Sequence, residues 1–185
     1  MTARTRHDEG FTLTELMVVV TLLTVILGVA YLGFDVVRNG SNLSDRMAYT
    51  SREVGFPLDY MERILIQNYG FDNTTTPTNY KVTVLTDRDN DDHSERYIFE
   101  ATSAGTLRVL SLEEPETDLK PYVLSTKNSN VAQGKSLFRY YDANLTEITN
   151  MGNVSSQARS MTMTIVTTYD GQSFSDTRRV YFRNR

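Results

Sequence analysis

Residues 10–34 read GFTLTELMVVVTLLTVILGVAYLGF, and this stretch decides how the rest of the chain is read. No charged residue stands between Leu16 and Phe34. The run matches the roughly 20 residues that a helix needs to cross a bilayer. Thr21 and Thr24 interrupt it mildly, because a hydroxyl can return to a backbone carbonyl of its own helix. Gly28 and Gly33 weaken the helix but permit close helix approach. Asp35 and Arg38 mark the exit into water, and Arg4 and Arg6 lie on the other side, with Asp8 and Glu9. Lys and Arg counting therefore places the N-terminus in the cytoplasm. Two features are odd for an ordinary span. An acid, Glu15, sits in its first turn, and a lone glycine, Gly10, precedes it. A carboxylate at mid-bilayer costs about 2.5–3.5 kcal/mol, and less near an end.

Working outward, the chain has 185 residues, a formal net charge of −4 and no cysteine. That length suits one modest domain. The absence of Cys excludes a disulfide framework and a thiolate metal site. There is no basic stripe of the kind that marks nucleic-acid binding. The apolar residues are concentrated between Leu13 and Phe34, while the remainder is rich in Thr, Asn, Asp and Tyr.

The residues Gly10-Phe-Thr-Leu-Thr-Glu15-Leu-Met, followed by the apolar run, closely resemble the prepilin-type signal of type IV pilins and pseudopilins. The resemblance implies that prepilin peptidase cuts between Gly10 and Phe11 and methylates the new amino group of Phe11. It also implies that Glu15, the fifth mature residue, pairs with the Phe11 amine of a neighbouring subunit in a filament. The physics agrees. Gly10 has no side chain to obstruct an extended backbone in a protease cleft. A buried acid is tolerable when it meets a cation in apolar surroundings. The other reading of Glu15 is an interfacial acid snorkelling to headgroups. The run could also be a secretory signal cleaved after Gly28-Val29-Ala30, or a plain anchor. Neither accounts for Gly10 or Glu15. Many major pilins carry a kinking Pro within the run, and none occurs here before Pro57, which points to a minor or pseudopilin subunit.

Asn39-Gly40-Ser41 reads as a helix breaker, with Ser41 or Asn42 capping a new helix. Leu43, Met47, Val54, Leu58, Met61 and Leu65 then recur at mostly helical spacing, with Phe56, Tyr60 and Ile64 as a second row. Pro57 predicts a kink or a fresh start, and Gly70 a stop. Residues 71–78 read as a loop. Beyond them the period becomes two. Residues 80–84 and 96–99 form a predicted hairpin around the turn DRDNDDHSE, residues 87–95. Residues 106–112 form a third strand, 113–121 and 127–135 loops, and 136–148 strand, turn and short strand. Residues 161–169 and 174–182 make a second hairpin about Asp170-Gly171. The expected fold class is α+β: a long N-terminal transmembrane helix, continuing into an amphipathic helix on a mainly antiparallel sheet. The expected divisions are a cytoplasmic leader at 1–10, a membrane and filament-core helix at 11–34, an amphipathic helical region at 35–70 and a β-rich region at 71–185. The acidic turn, Tyr140-Tyr141-Asp142 and Arg183-Asn184 also resemble the larger minor pilins of the W and J kind.

No catalytic constellation is visible. His93 is the one imidazole after the leader, no nucleophile-elbow motif surrounds a Ser, and no phosphate-cradling Gly loop occurs. Asp87, Asp89 and Asp91 alternate as ligands do in a calcium loop. However, Asp92 stands where that loop needs Gly, and Ile98 where it needs an acid. A solvated turn without a cofactor is the expectation, and calcium the alternative, since some pseudopilins use it to order a loop. Tyr140, Tyr141 and Tyr169 are candidates for an aromatic binding surface or for the cover of a sheet face. The partners implied by the resemblance are prepilin peptidase, other pilin or pseudopilin subunits, an inner-membrane assembly platform and membrane lipid. The rival class is a membrane-anchored or secreted binding module with no filament role.

Overall fold

The computed structural model describes residues 12–68, 70–72, 74–86, 94–113 and 120–182. Contacts divide the chain into two compact units, Met1–Asp45 and Arg46–Arg185.

Helix α1 spans Leu13–Thr50 and buries none of its residues. It opens on a reciprocal cap. The Thr12 amide and hydroxyl each donate to Glu15 Oε2 at 2.9 Å, and the Glu15 amide donates to Thr12 Oγ1 at 3.3 Å. This is a capping box, which satisfies amides that the first turn leaves without helical partners. Thr21 and Thr24 donate to the carbonyls of Met17 and Val20, both at 2.8 Å.

The predicted break at Asn39-Gly40-Ser41 does not occur, because α1 runs through it. Gly in a helix costs about 1 kcal/mol and Asn less, while a Pro, which would remove a ladder bond, is absent. The irregularity falls instead at Ser51–Gly55, a π-helical turn. Its position follows from Pro57. A proline ring collides with the carbonyl four residues before it, here that of Glu53, and supplies no amide. A wider turn at that point lets the chain continue. Helix α2 (Phe56–Ile66) then starts with Pro57 in its first turn, as expected. It ends before Gly70: the amides of Gln67 and Asn68 donate to Ile64 and Leu65.

Val54, Leu58, Met61 and Leu65 form the core-facing row, at most 1% exposed. The two earlier members of the predicted row, Leu43 and Met47, are exposed instead. Their spacing is helical, but their side chains are more than half exposed, 56% at Leu43 and 63% at Met47.

The larger sheet has the order β1-β2-β3-β4-β5, with all neighbours antiparallel: β1 Gly70–Phe71, β2 Lys81–Thr86, β3 Glu95–Ala101, β4 Leu107–Glu113 and β5 Lys120–Ser125. The first predicted hairpin and third strand are therefore present. In β3, alternate residues Glu95, Tyr97, Phe99 and Ala101 are buried. Two strands were not expected. Gly70 and Phe71 pair with Leu85 and Val84, and β5 includes Lys120 and Pro121, which read as loop. Pro121 is tolerated because β5 is an edge strand, so a missing amide need not break a ladder.

The smaller sheet has the order β6-β7-β8: β6 Phe138–Tyr141, β7 Ser160–Tyr169 and β8 Gln172–Tyr181. Between β6 and β7 lie a short 3₁₀ turn, Met151–Asn153, and helix α3, Val154–Gln157, neither of which was predicted. β7 and β8 join through Asp170 and Gly171, with φ of 50° and 70°. Both central residues are left-handed, as a type I′ hairpin requires. Side chains from α2 and both sheets meet in one core.

Candidate functional site

The expected cleavage and methylation pair, Gly10 and Phe11, lies outside the described residues. Glu15 is described, and it caps its own helix through Thr12. Beyond it every large apolar side chain from Leu16 to Phe34 is more than half exposed. Burying a Val or Leu side chain is worth about 1.5–3 kcal/mol, so this surface needs a lipid or protein environment. The helix is long and apolar enough to cross a membrane by length and composition.

The proposed calcium ligands Asp87, Asp89 and Asp91 also lie outside the described residues, as does His93. Beside that turn the hairpin is intact up to the pair Thr86 and Glu95. There the Thr86 hydroxyl donates to the Glu95 carboxylate at 2.8 Å. Among the described residues no group of three His, Cys, Asp or Glu could hold a metal ion.

The three tyrosines do not form a common binding surface. Tyr140 is 0% exposed, and its hydroxyl donates to the Thr78 carbonyl at 3.0 Å. Burial pushes its phenol above the ordinary tyrosine value. Tyr141 lies under the Arg179 guanidinium, 4.5 Å from ring centre to charge. Tyr169 packs on Tyr49, with ring centroids 4.5 Å apart. The reason is register: consecutive strand residues face opposite sides, so Tyr140 goes to the core and Tyr141 outward.

Sequence reasoning missed two polar sites that organise the β-rich unit. Glu53, buried in the π-helical turn, accepts from the Ser125 hydroxyl and the Thr126 amide. Asn130, fully buried in the loop after β5, donates to the carbonyls of Thr164 and Lys135 and accepts from the Val166 amide. Neither role has a local sequence signal, because the partners that decide it, Ser125 and Thr126 for Glu53 and Thr164 and Val166 for Asn130, are remote. The capping box was legible as Thr-x-x-Glu at Thr12–Glu15, but the acid was read only for its charge.

An exposed apolar helix opened by a capped acid, followed by antiparallel sheets with an amphipathic helix in their core, is an α+β, pilin-like architecture. The family model described as the prokaryotic N-terminal methylation motif matches residues 5–31. The N-terminal segment is therefore the prepilin-type signal of type IV pilins and pseudopilins, a structural class and not an enzyme family. No characterised protein and no solved structure matched the chain.

Proposed function

We propose that the chain is a minor pilin or pseudopilin subunit of a pilus, a type II secretion pseudopilus or a DNA-uptake filament. Prepilin peptidase cuts between Gly10 and Phe11 and methylates Phe11. An inner-membrane platform then assembles the mature chain with other pilin subunits. The observation that carries this reading is a single acid, Glu15, at the head of a helix whose large apolar side chains from Leu16 to Phe34 are all more than half exposed. In a bundle of such helices the exposed apolar surface becomes the filament core, and Glu15 meets the Phe11 amine of a neighbour. The β-rich unit works without a cofactor.

The test is the N-terminal sequence and mass of the chain purified from membranes. A chain beginning at Phe11 and carrying one methyl group supports the subunit. A start at Tyr31 indicates a secreted binding module, and an intact Met1 a plain anchor; either result rejects the proposal.

A further inference from the structure

Two sheets present four edges, and the edges differ. β1 has two residues. β5 carries Pro121. The outer side of β6 is occupied: the amides of Leu137 and Phe138 donate to the Asn79 carbonyl, and the Ile148 amide donates to that of Tyr140. β8 is the long edge, ten residues with β7 on one side.

The orientation of its backbone follows from one bond. The Phe182 amide donates to the Arg159 carbonyl at 2.9 Å. The β7–β8 register is unbroken, so even-numbered residues of β8 turn their amides and carbonyls toward β7 and odd-numbered residues turn them outward. Ser173, Ser175, Thr177, Arg179 and Tyr181 face outward in this way, and all five are exposed. The Thr177 amide donates to the Asp176 carboxylate beside it, at 2.8 Å. Among the described residues no strand pairs with this edge, and a long edge of this kind is a template for another strand.

We propose that β8 pairs antiparallel with β8 of a second copy of this chain, centred on Thr177. Outward backbone groups occur at odd positions, so odd residues pair with odd and even with even, and a two-fold falls on one residue. On Asp176 or Arg178 it would set that charge against its own copy, and on Phe174 it would forgo the Asp176–Arg178 pair. Centring on Thr177 sets Asp176 opposite the second copy's Arg178, twice over, and Arg179 opposite Ser175. Centring on Arg179 would set two arginines face to face, which is destabilising. Centring on Ser175 forgoes the Asp–Arg pair. Arg178 reaches α2 through Nη1, bonded to Asp59 and Glu62. A guanidinium has five N–H donors in a fork, so the same side chain can serve a second carboxylate. On pairing, Asp176 exchanges the Thr177 amide for that guanidinium, and the Thr177 amide takes the carbonyl of the second copy's Thr177.

The chain has no cysteine, which makes disulfide trapping in the full-length chain unambiguous. Thr177→Cys, in the detergent-solubilised chain under mild oxidation, shifts to a reducible dimer. Ser175→Cys stays monomeric, because its counterpart in the second copy is four residues out of register. Asn144→Cys, in an exposed turn, controls for random collision. Adding Asp176→Arg or Ser175→Pro to Thr177→Cys abolishes the dimer. The first sets like charges opposite, and the second removes an outward amide without touching the β7 ladder. A Thr177→Cys chain that stays monomeric, or a dimer yield no higher than that of Ser175→Cys or Asn144→Cys, overturns the proposal; so does trapping that survives both added substitutions.

Discussion

Glu53 and Ser125, 72 residues apart in sequence, share a 2.6 Å hydrogen bond that ties the π-helical turn to the end of β5. The Thr126 amide adds a second donor to the same oxygen at 3.2 Å. Glu53 is 6% exposed, so its charge is held by these bonds and by Arg52, 3.8 Å away at the surface. Hydrogen bonds to a charged group contribute about 1.5–3 kcal/mol. Glu53→Ala is expected to lower unfolding stability by about that amount, since it leaves two donors without an acceptor. Glu53→Gln keeps an acceptor oxygen and should lose less. Denaturant unfolding followed by near-UV circular dichroism of the tyrosines separates them, and equal losses would exclude the hydrogen bonds as the cause.

Gly105 and Gly171 both have left-handed backbone, φ +80° and +70°, but their surroundings differ. A Cβ on Gly105 would lie 3.2 Å from the Asn128 carbonyl oxygen, whereas one on Gly171 would meet nothing within 4 Å. Left-handed backbone costs a non-glycine residue roughly 1–2 kcal/mol. Gly171→Ala should cost about that much, and Gly105→Ala more, because the Asn128 turn must also shift. Thermal unfolding of the two variants ranks them.

Tyr140 is buried as the neutral phenol. Burial raises its pKa, so the unfolded chain loses that proton at lower pH than the folded one. Its contribution to stability is complete below the unfolded value of about 10 and declines above it. Tyr140→Phe should reduce stability by about 1 kcal/mol near neutrality, from the lost bond to Thr78. It should also flatten the fall at alkaline pH. Urea midpoints across that range provide the measurement, and an unchanged alkaline slope would contradict the assignment.

Gly40 lies within a continuous helix, with nothing within 4 Å of a Cβ placed there. Gly40→Ala should therefore strengthen α1 locally by about 1 kcal/mol, roughly a fivefold slowing of amide exchange around residue 40. A real break at Asn39-Gly40-Ser41 would instead leave exchange there fast and unchanged.

Glu15→Val should leave membrane insertion and cleavage intact, because the run becomes more apolar and Gly10 survives. Incorporation into filaments should fall. The Phe11 amine of a neighbour would then enter an apolar core unpaired, at a cost of about 3–5 kcal/mol. Glu15→Asp should be partly tolerated. Sheared-filament and membrane fractions, probed for this subunit and for mature length, give the comparison. Normal incorporation of the Val variant would reduce Glu15 to a helix cap.

Legibility followed the range of the forces involved. The apolar run, the Gly10–Glu15 signal, the restart at Pro57 and the Asp170-Gly171 hairpin could all be read in sequence, because each is set by neighbours within a turn or two. Alternation placed β2, β3, β4, β7 and β8 for the same reason. Tertiary structure decided the rest. Asn39-Gly40-Ser41 has breaker composition, yet its helical cost is small and nothing nearby enforces a stop. β5 became a strand because β4 offered it a ladder, despite Pro121. Tyr140 went to the core while Tyr141 met Arg179, an outcome of strand register. Glu53 took its structural role through Ser125 and Thr126, and Asn130 took part of its role through Thr164 and Val166, all tens of residues away, and no periodicity records that. What the sequence determined by itself was the apolar helix with its N-terminal signal and the strands marked by alternation. What only the fold decided was which polar side chains were buried and which sheet edge stayed open, since both depend on groups that meet only when the chain has closed.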